Sequence, residues 1–470
     1  VDNQLALDFD DEYQRSISLM SVALASTSHQ VSRPIHYLGS KLRLVNVIRD
    51  TIDKIDPTGG PVCDLFAGSG TVSKALSESR DVIAVDIQEY SRVLCSALLK
   101  PASIGMEAVD QFWNGVHSSE HAKRLSWAVQ PLIDYEADCL NQAVSGDLEP
   151  LCDFLEHGSL IAWEQAACTT AYSSLRSALY DASSRLQNAR LIGTPSALAT
   201  RYFGGIYFSF LQASQLDILL ESIASLSIPQ KDSFVAAILS TASNLVNTVG
   251  KQFAQPIRPR SSDSKPKQNL FQLVARDRYG DVIKVFESWL TRYLAIPTTD
   301  RPHRIIRKDY SEALEDLEGA VSIIYADPPY TRDHYSRFYH VLETLCFRDS
   351  PVVSTVRING RDQISRGMYR AERHQSPFCI KSKAPNAFLT LFSKARPLGV
   401  PLVLSYSPYK KESGARPRLL TIKEIEELAQ KFFKRVEVIP AGRIAHNKLN
   451  NSEKNVGMSY DAEILLICEP

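Results

Sequence analysis

The apolar run Val321-Ser322-Ile323-Ile324-Tyr325-Ala326 stops abruptly at Asp327-Pro328-Pro329-Tyr330, and this stop constrains the fold more than any other feature of the chain. A β-branched run of this length, bounded by prolines, reads as a buried parallel strand. Its end then delivers one carboxylate, one backbone carbonyl and one aromatic ring to the carboxyl edge of a sheet. The prolines restrict the backbone and supply no competing N–H. Such a set can hold a flat, amino-bearing base. Asp327 and the Pro328 carbonyl accept the two hydrogens of an exocyclic amine, while Tyr330 stacks on the ring. Taken alone, the tetrapeptide also suits a tight turn at a strand end.

A second constellation lies far upstream. Residues 61–72 read as a strand, a turn and the opening of a helix, with Asp64, Phe66, Gly68 and Gly70 in the turn region. Gly68 and Gly70 remove side chains where the backbone bends sharply and where a ligand approaches closely. The Gly-Lys-Ser/Thr ending of a phosphate-binding P-loop is missing, and a lone Gly-x-Gly after a strand is also an ordinary structural turn. Residues 81–86 form another short apolar strand ending in a carboxylate, so Asp86 is placed to accept both hydroxyls of a ribose. Asp64 is placed to hold a ligand ammonium. Tyr37-Leu38-Gly39-Ser40-Lys41 precedes an amphipathic stretch, and Lys41 near a helix start can pair with a ligand carboxylate or simply be solvated.

In this order, Tyr37 through Lys41, Asp64 through Gly70, Asp86 and the Asp327 tetrapeptide resemble the Dam-like, alpha-group DNA adenine-N6 methyltransferases. Each piece is common, whereas the joint match is specific. The resemblance implies S-adenosylmethionine as cofactor, with Tyr37, Lys41, Asp64, Phe66, Gly68, Gly70 and Asp86 around it. Its amino-acid end would meet Lys41, Asp64 and Phe66, its ribose Asp86, and its adenine Asp309, which follows the run at 304–308. Asp327, Pro328, Pro329 and Tyr330 inherit the binding of the target adenine. The expected fold is α/β, a doubly wound seven-stranded Rossmann-like methyltransferase core. Its strands lie near residues 61–65, 81–86, 304–310, 321–326, 400–407, 436–439 and 463–468, and the last is antiparallel. No covalent intermediate and no metal are expected, since methyl transfer to an amine needs neither.

The expected organisation is an N-terminal arm at 1–30, a catalytic domain from 31–104 and 301–470, and a mainly helical insertion at 105–300. This insertion, roughly two hundred residues between the second and third strands, far exceeds an ordinary connection and is the candidate target-recognition domain. With 53 basic and 53 acidic residues the chain has no global field for a polyanion, so nucleic-acid contact must come from local patches. One patch contains Lys251, Arg258, Arg260, Lys265 and Lys267, opposed locally only by Asp263. A second runs from about Arg357 to Lys383 and includes Arg366, Arg370 and Arg373, interleaved with Tyr369, His374 and Phe378. Arg337, just beyond the tetrapeptide, belongs with them, and a solvated loop is the bland alternative for each. The expected partner is double-stranded DNA, with a restriction endonuclease or defence subunit as a separate chain. Adenine in RNA, the N4 amine of cytosine, and a catalytically inactive nucleic-acid-binding subunit are the rival readings. Eight scattered cysteines without a Cys-x-x-Cys pair suggest reduced core residues. With no membrane span or export signal in the pattern, a cytoplasmic protein is expected.

Overall fold

The computed structural model describes residue 31 and residues 33–227, 231–358, 360–407, 418–441, 444–446, 456–459 and 463–470. The arm expected over residues 1–30 lies outside the described residues, as do residues 447–455, ahead of the last expected strand. Seven strands build one mixed sheet: β1 (Val62–Asp64), β2 (Val82–Asp86), β3 (Arg304–Arg307), β4 (Ile323–Ala326), β5 (Leu402–Tyr406), β6 (Arg435–Pro440) and β7 (Ile464–Glu469). Their order across the sheet is β3-β2-β1-β4-β5-β7-β6. The first five strands are mutually parallel, and β7 runs antiparallel between β5 and β6.

The Val- and Ile-rich central strands are buried on both faces, as parallel strands covered by crossover helices must be. Alternate residues serve opposite cores. On one face Val62, Val82, Ala84, Ile323 and Tyr325 pack with Ile48 and Ile52 of helix Val45–Ile55 and with Val72, Leu76, Cys95 and Leu99. On the other, Cys63, Ile83, Val85, Ile324 and Leu404 meet Leu314, Phe388, Leu391, Phe392 and Ile425.

Every described element between Met106 and Leu294 is helical. These helices share a third core with helix Glu89–Leu99 and helix His340–Phe347, both of which follow sheet strands. Arg92 clamps Asp232 with two nitrogens at 2.9 and 3.0 Å, tying the insertion to the helix after β2. Inside the insertion, buried Arg278 pairs with Glu136 and donates to the Gly205 carbonyl at 2.8 Å. The glycine pair at 204–205 makes a turn, and the following helix begins only at Phe210. Gly205 has φ +75°, and a Cβ there would overlap the Gly158 carbonyl oxygen. The neighbouring Phe203, Tyr207, Phe208 and Phe210 are buried, so these aromatics belong to the core.

Two hairpins stand outside the sheet, Thr355–Ile358 with Arg361–Ile364 and Ile444–His446 with Val456–Ser459. All eight cysteines are free, and six of them are buried. No helix among the described residues is long and apolar enough to cross a membrane.

Candidate active site

Strand register brings four carboxylates to one edge. Asp64 ends β1 opposite Ala84 of β2 and Tyr325 of β4, so Asp327 leaves the sheet next to it. Asp86 ends β2 opposite Arg307, and Asp309 follows two residues later. These residues are far apart in sequence, and parallel pairing alone collects them at the carboxyl ends of adjacent strands, where open α/β sheets bind ligands.

Between them lies a pocket partly open to solvent, lined by Tyr37, Leu65, Phe66, Asp86, Gln88, Asp309, Tyr310, Asp327, Pro329, Tyr335, His374, Ser376 and Pro377 among others. The turn after β1 is pinned beneath it: Gly68 N–H donates to Asp86 Oδ2 at 2.9 Å, and Gln88 N–H donates to Asp86 Oδ1 at the same distance. Each oxygen keeps acceptor capacity for a ligand hydroxyl. Gly68 has φ +53°, and a Cβ there would lie 2.6 Å from the Tyr37 hydroxyl. Glycine is therefore required by the close approach of Tyr37. Gly70, in the left-handed region with φ +75°, opens the helix Thr71–Leu76.

Tyr37 stacks on Tyr339, with ring centres 5.1 Å apart. The 36–38 backbone is held by two tyrosines from the segment after the tetrapeptide. Tyr339 Oη accepts from Leu38 N–H at 2.6 Å and donates to the His36 carbonyl at 3.2 Å, while Tyr335 Oη donates to the Leu38 carbonyl at 3.0 Å. Tyr339 thus packs under the site, whereas Tyr335 lines the cavity. His340 is a core residue, and burial pushes it down to about 3.

Asp64 is buried at the end of β1, just ahead of Leu65 and Phe66, which line the pocket. Its Oδ2 accepts from Ser73 Oγ at 2.6 Å, while its buried Oδ1 has no hydrogen-bond partner. Burial pushes its carboxyl up to about 7, against the pull of Ser73. A buried acceptor left open in this way fits a ligand ammonium. Asp86 is also raised by burial, against its two backbone donors. Asp309 caps helix Tyr310–Glu315, accepting from Ser311 N–H at 2.9 Å.

Lys41, expected to meet a ligand carboxylate, faces two carboxylates of the chain itself. Its ammonium lies 3.1 Å from Asp327 Oδ1 and 3.6 Å from Glu463 Oε2, with side-chain exposures of 4%, 19% and 7% for the three residues. Burial pushes Lys41 down, yet the two carboxylates carry it well above the ordinary lysine value. Burial likewise raises Asp327 to about 6, opposed by Lys41 and reinforced by Glu463. Tyr330 Oη donates to Glu463 Oε1 at 3.2 Å. Its ring meets Tyr406 edge-on at 5.2 Å, with the Arg418 guanidinium 4.7 Å from its centre.

The basic residues divide into engaged and exposed groups. The fold brings Glu149 and Glu156 to Arg260, at 2.8 and 3.1 Å, and Asp277 to Lys251 at 2.8 Å. Asp263 is therefore not the only acid facing that stretch. Asp349 clamps Arg370 with two contacts of 2.6 Å. Arg366 is exposed but donates to the Ile257 carbonyl at 2.7 Å, and Arg258 is exposed. Arg337 lies 4.8 Å and Arg373 5.9 Å from the Tyr369 ring centre, forming a cationic cluster near His334. Sequence reasoning missed Glu463, and it placed His374 in a nucleic-acid loop although His374 lines the cavity. An acid immediately ahead of the reversed final strand was the available signal for Glu463.

The mostly parallel sheet, with its cavity at the carboxyl edge, is consistent with a methyltransferase fold. Residues 37–126 and 291–383 match the D12 class N6 adenine-specific DNA methyltransferase family, so the resemblance read from the motif order is shown. The matched segments carry all four edge carboxylates. The chain is also similar to the modification methylase LlaI of Lactococcus lactis subsp. lactis, at 23% identity over 398 residues, covering 85% of this chain and 49% of that protein. It therefore spans about half the length of this relative. No solved structure matches the chain.

Proposed function

We propose that this protein is a DNA adenine-N6 methyltransferase that moves the methyl group of S-adenosylmethionine to an adenine held at Asp327-Pro328-Pro329-Tyr330. The observation that carries this reading is the pairing of β1 with β4, which sets the pocket lined by Phe66, Asp86 and Asp309 beside the tetrapeptide at one sheet edge. Helices on both faces of that sheet support a doubly wound core. The residues present fit the cofactor that the family implies. Asp64 offers its open Oδ1 to the ammonium, Asp86 its remaining lone pairs to the ribose, and Asp309 a carboxylate to the adenine. Lys41 is better assigned to the target pocket, where it is already held by two carboxylates.

When bound, the cofactor supplies an electrophilic sulfonium methyl. Asp327 and the Pro328 carbonyl accept the two N6 hydrogens and turn the nitrogen lone pair toward that methyl, and Tyr330 supports the ring. The C–N bond forms as the C–S bond breaks, and one N6 proton then leaves to solvent or to Asp327. The acceptors also stabilise positive charge developing on nitrogen. Most of the acceleration comes from alignment of two bound reactants. Adenine N6 is inaccessible to this pocket within a duplex, so the base is flipped out, at a cost of a few kcal/mol. Arg337, Arg373 and the basic 357–383 segment meet the phosphates. The insertion at 105–300 is assigned to target recognition. The relative's printed role as a modification methylase supports restriction-modification as the context, with any endonuclease on another chain.

The test is transfer of labelled methyl to unmethylated duplex DNA, followed by nucleoside mass analysis, with Asp327→Ala alongside. N6-methyladenine from the wild type alone is expected. Methylation of RNA or of cytosine N4 in place of adenine, or no product despite demonstrated cofactor binding, would refute the reading.

A further inference from the structure

The reversed final strand has a consequence at the site. Parallel strands deliver their C-terminal residues to the carboxyl edge, whereas an antiparallel strand delivers the residue that precedes it. Ile464 pairs with Tyr406 on one side and Pro440 on the other, so Glu463 stands at the edge where Asp64 and Asp327 leave the sheet. Its carboxylate is divided between two partners. Oε1 accepts from Tyr330 Oη at 3.2 Å, and Oε2 lies 3.6 Å from Lys41 Nζ. Oε2 and Asp327 Oδ1 are both buried, facing one ammonium between them.

We propose that Glu463 is a positioning residue of the target pocket, sharing Lys41 with Asp327 and fixing the Tyr330 ring, so that Asp327 stays available to the incoming amine. The inference rests on the functional reading above. Without Glu463, the buried Lys41 charge has Asp327 as its remaining close carboxylate partner. Lys41 would then occupy Asp327 more fully and compete with the amine for its oxygens. Two carboxylates against one ammonium also leave this cluster with a net negative charge, which suits a sulfonium donor and a nitrogen that becomes positive during transfer. Tyr330, held through its hydroxyl, presents its ring at a fixed angle to the base.

The groups acting on Asp327 come from every element around it: Lys41 from the 37–41 turn, Asp64 from β1, Tyr325 from β4, Tyr330 and Tyr335 beyond the tetrapeptide, and Glu463 ahead of β7. Of these, Glu463 raises the carboxyl of Asp327 and Lys41 lowers it. Removing the Glu463 charge therefore moves the acid limb of turnover to lower pH, both directly and by giving Lys41 wholly to Asp327.

The experiment measures kcat against pH and cofactor Kd for the wild type, Glu463→Gln and Glu463→Asp. For Glu463→Gln we expect kcat lower by about 10- to 100-fold, the loss typical of a reactant misplaced by about an ångström. Its acid limb should shift downward, with cofactor Kd within about twofold. Glu463→Asp keeps the charge but withdraws it from Tyr330, so kcat should fall while the limb stays at its wild-type position. A Glu463→Gln enzyme with wild-type kcat and limb overturns the proposal, as does an equal limb shift in Glu463→Asp. If Glu463→Gln does not fold, Glu463→Asp decides: a lower kcat with the limb in place supports the proposal, and a wild-type kcat or a moved limb overturns it. A wild type that methylates nothing defeats the functional reading and this inference with it, whereas an active wild type with an indifferent Glu463 defeats the inference only.

Discussion

Replacing Asp64 by Asn should make the protein more stable and its cofactor binding weaker, with the stability gain appearing only as pH rises. Asp64 is 1% exposed, and its Oδ2 accepts from Ser73 Oγ at 2.6 Å. Burial, with a smaller contribution from Asp327 and Asp86, raises its carboxyl from 3.8 to about 7. Below the unfolded value both states hold the proton, and the group does not affect folding. Between the two values the unfolded chain has released the proton while the folded chain retains it, so wild-type stability falls as pH rises. At 1.36 kcal/mol per pKa unit the whole interval is worth at most about 4 kcal/mol, and about 2 kcal/mol after relaxation of the surroundings. Asn keeps an acceptor for Ser73 and carries no charge, so it escapes this loss. Thermal unfolding of both proteins should show Tm values that agree near pH 4 and diverge toward pH 7, with the variant higher by a few degrees. Calorimetry with S-adenosylhomocysteine at neutral pH should show the variant binding at least about tenfold more weakly, the cost of one lost charge-assisted contact. A Tm difference independent of pH would refute the burial argument. Unchanged affinity would remove Asp64 from the ligand's ammonium.

Asp86→Ala should raise cofactor Kd by about a hundredfold, since up to two hydroxyl contacts to a buried carboxylate are lost. It should also lower Tm, because the Gly68 and Gln88 N–H groups lose their acceptor; calorimetry and thermal unfolding check the two effects separately. Asp327→Ala should reduce methyl transfer by about a thousandfold or more in a single-turnover assay while cofactor Kd stays within about threefold; parallel loss of both would count against its assignment to the base. Arg373→Ala should weaken DNA binding about evenly across sequences and reduce the salt slope by about one in titrations at several salt concentrations. Arg260→Ala, whose partners are Glu149 and Glu156, should leave that slope unchanged and alter stability by no more than about 1 kcal/mol.

All seven sheet strands stand near the positions expected from short apolar runs with carboxylates or prolines at their ends. Strand burial and edge chemistry are local properties, so a run such as Ile323–Ala326 followed by two prolines carries its meaning within ten residues. The helical character of residues 106–294 was legible for the same reason, from three- and four-residue spacing. What could not be read was which groups long-range packing would pair. Arg260 looks unopposed in its own segment because Glu149 and Glu156 lie more than a hundred positions upstream. In the sequence Lys41 reads as a partner for a ligand carboxylate, or a solvated lysine, near a helix start, yet it is buried against residues about 290 and 420 positions away.

Charge balance shows why that lysine matters. Asp64, Asp86, Asp309 and Asp327 converge on one edge by strand register, and Glu463 joins them through the reversal of β7. Five acids so close would repel one another and take up protons unless separately compensated. Three of them meet only neutral donors among the described residues, Ser73 for Asp64, two backbone N–H groups for Asp86 and Ser311 for Asp309, and burial raises Asp64 and Asp86 in spite of them. Those three stay short of positive partners and so remain receptive to a cationic, hydroxyl-bearing ligand. Asp327 and Glu463 instead share Lys41, whose ammonium opposes the effect of burial on the base-binding carboxylate before any substrate arrives. The edge is therefore divided into a half that awaits positive charge and a half that already contains it. The two halves meet at the β1–β4 pairing, where the methyl group would have to cross.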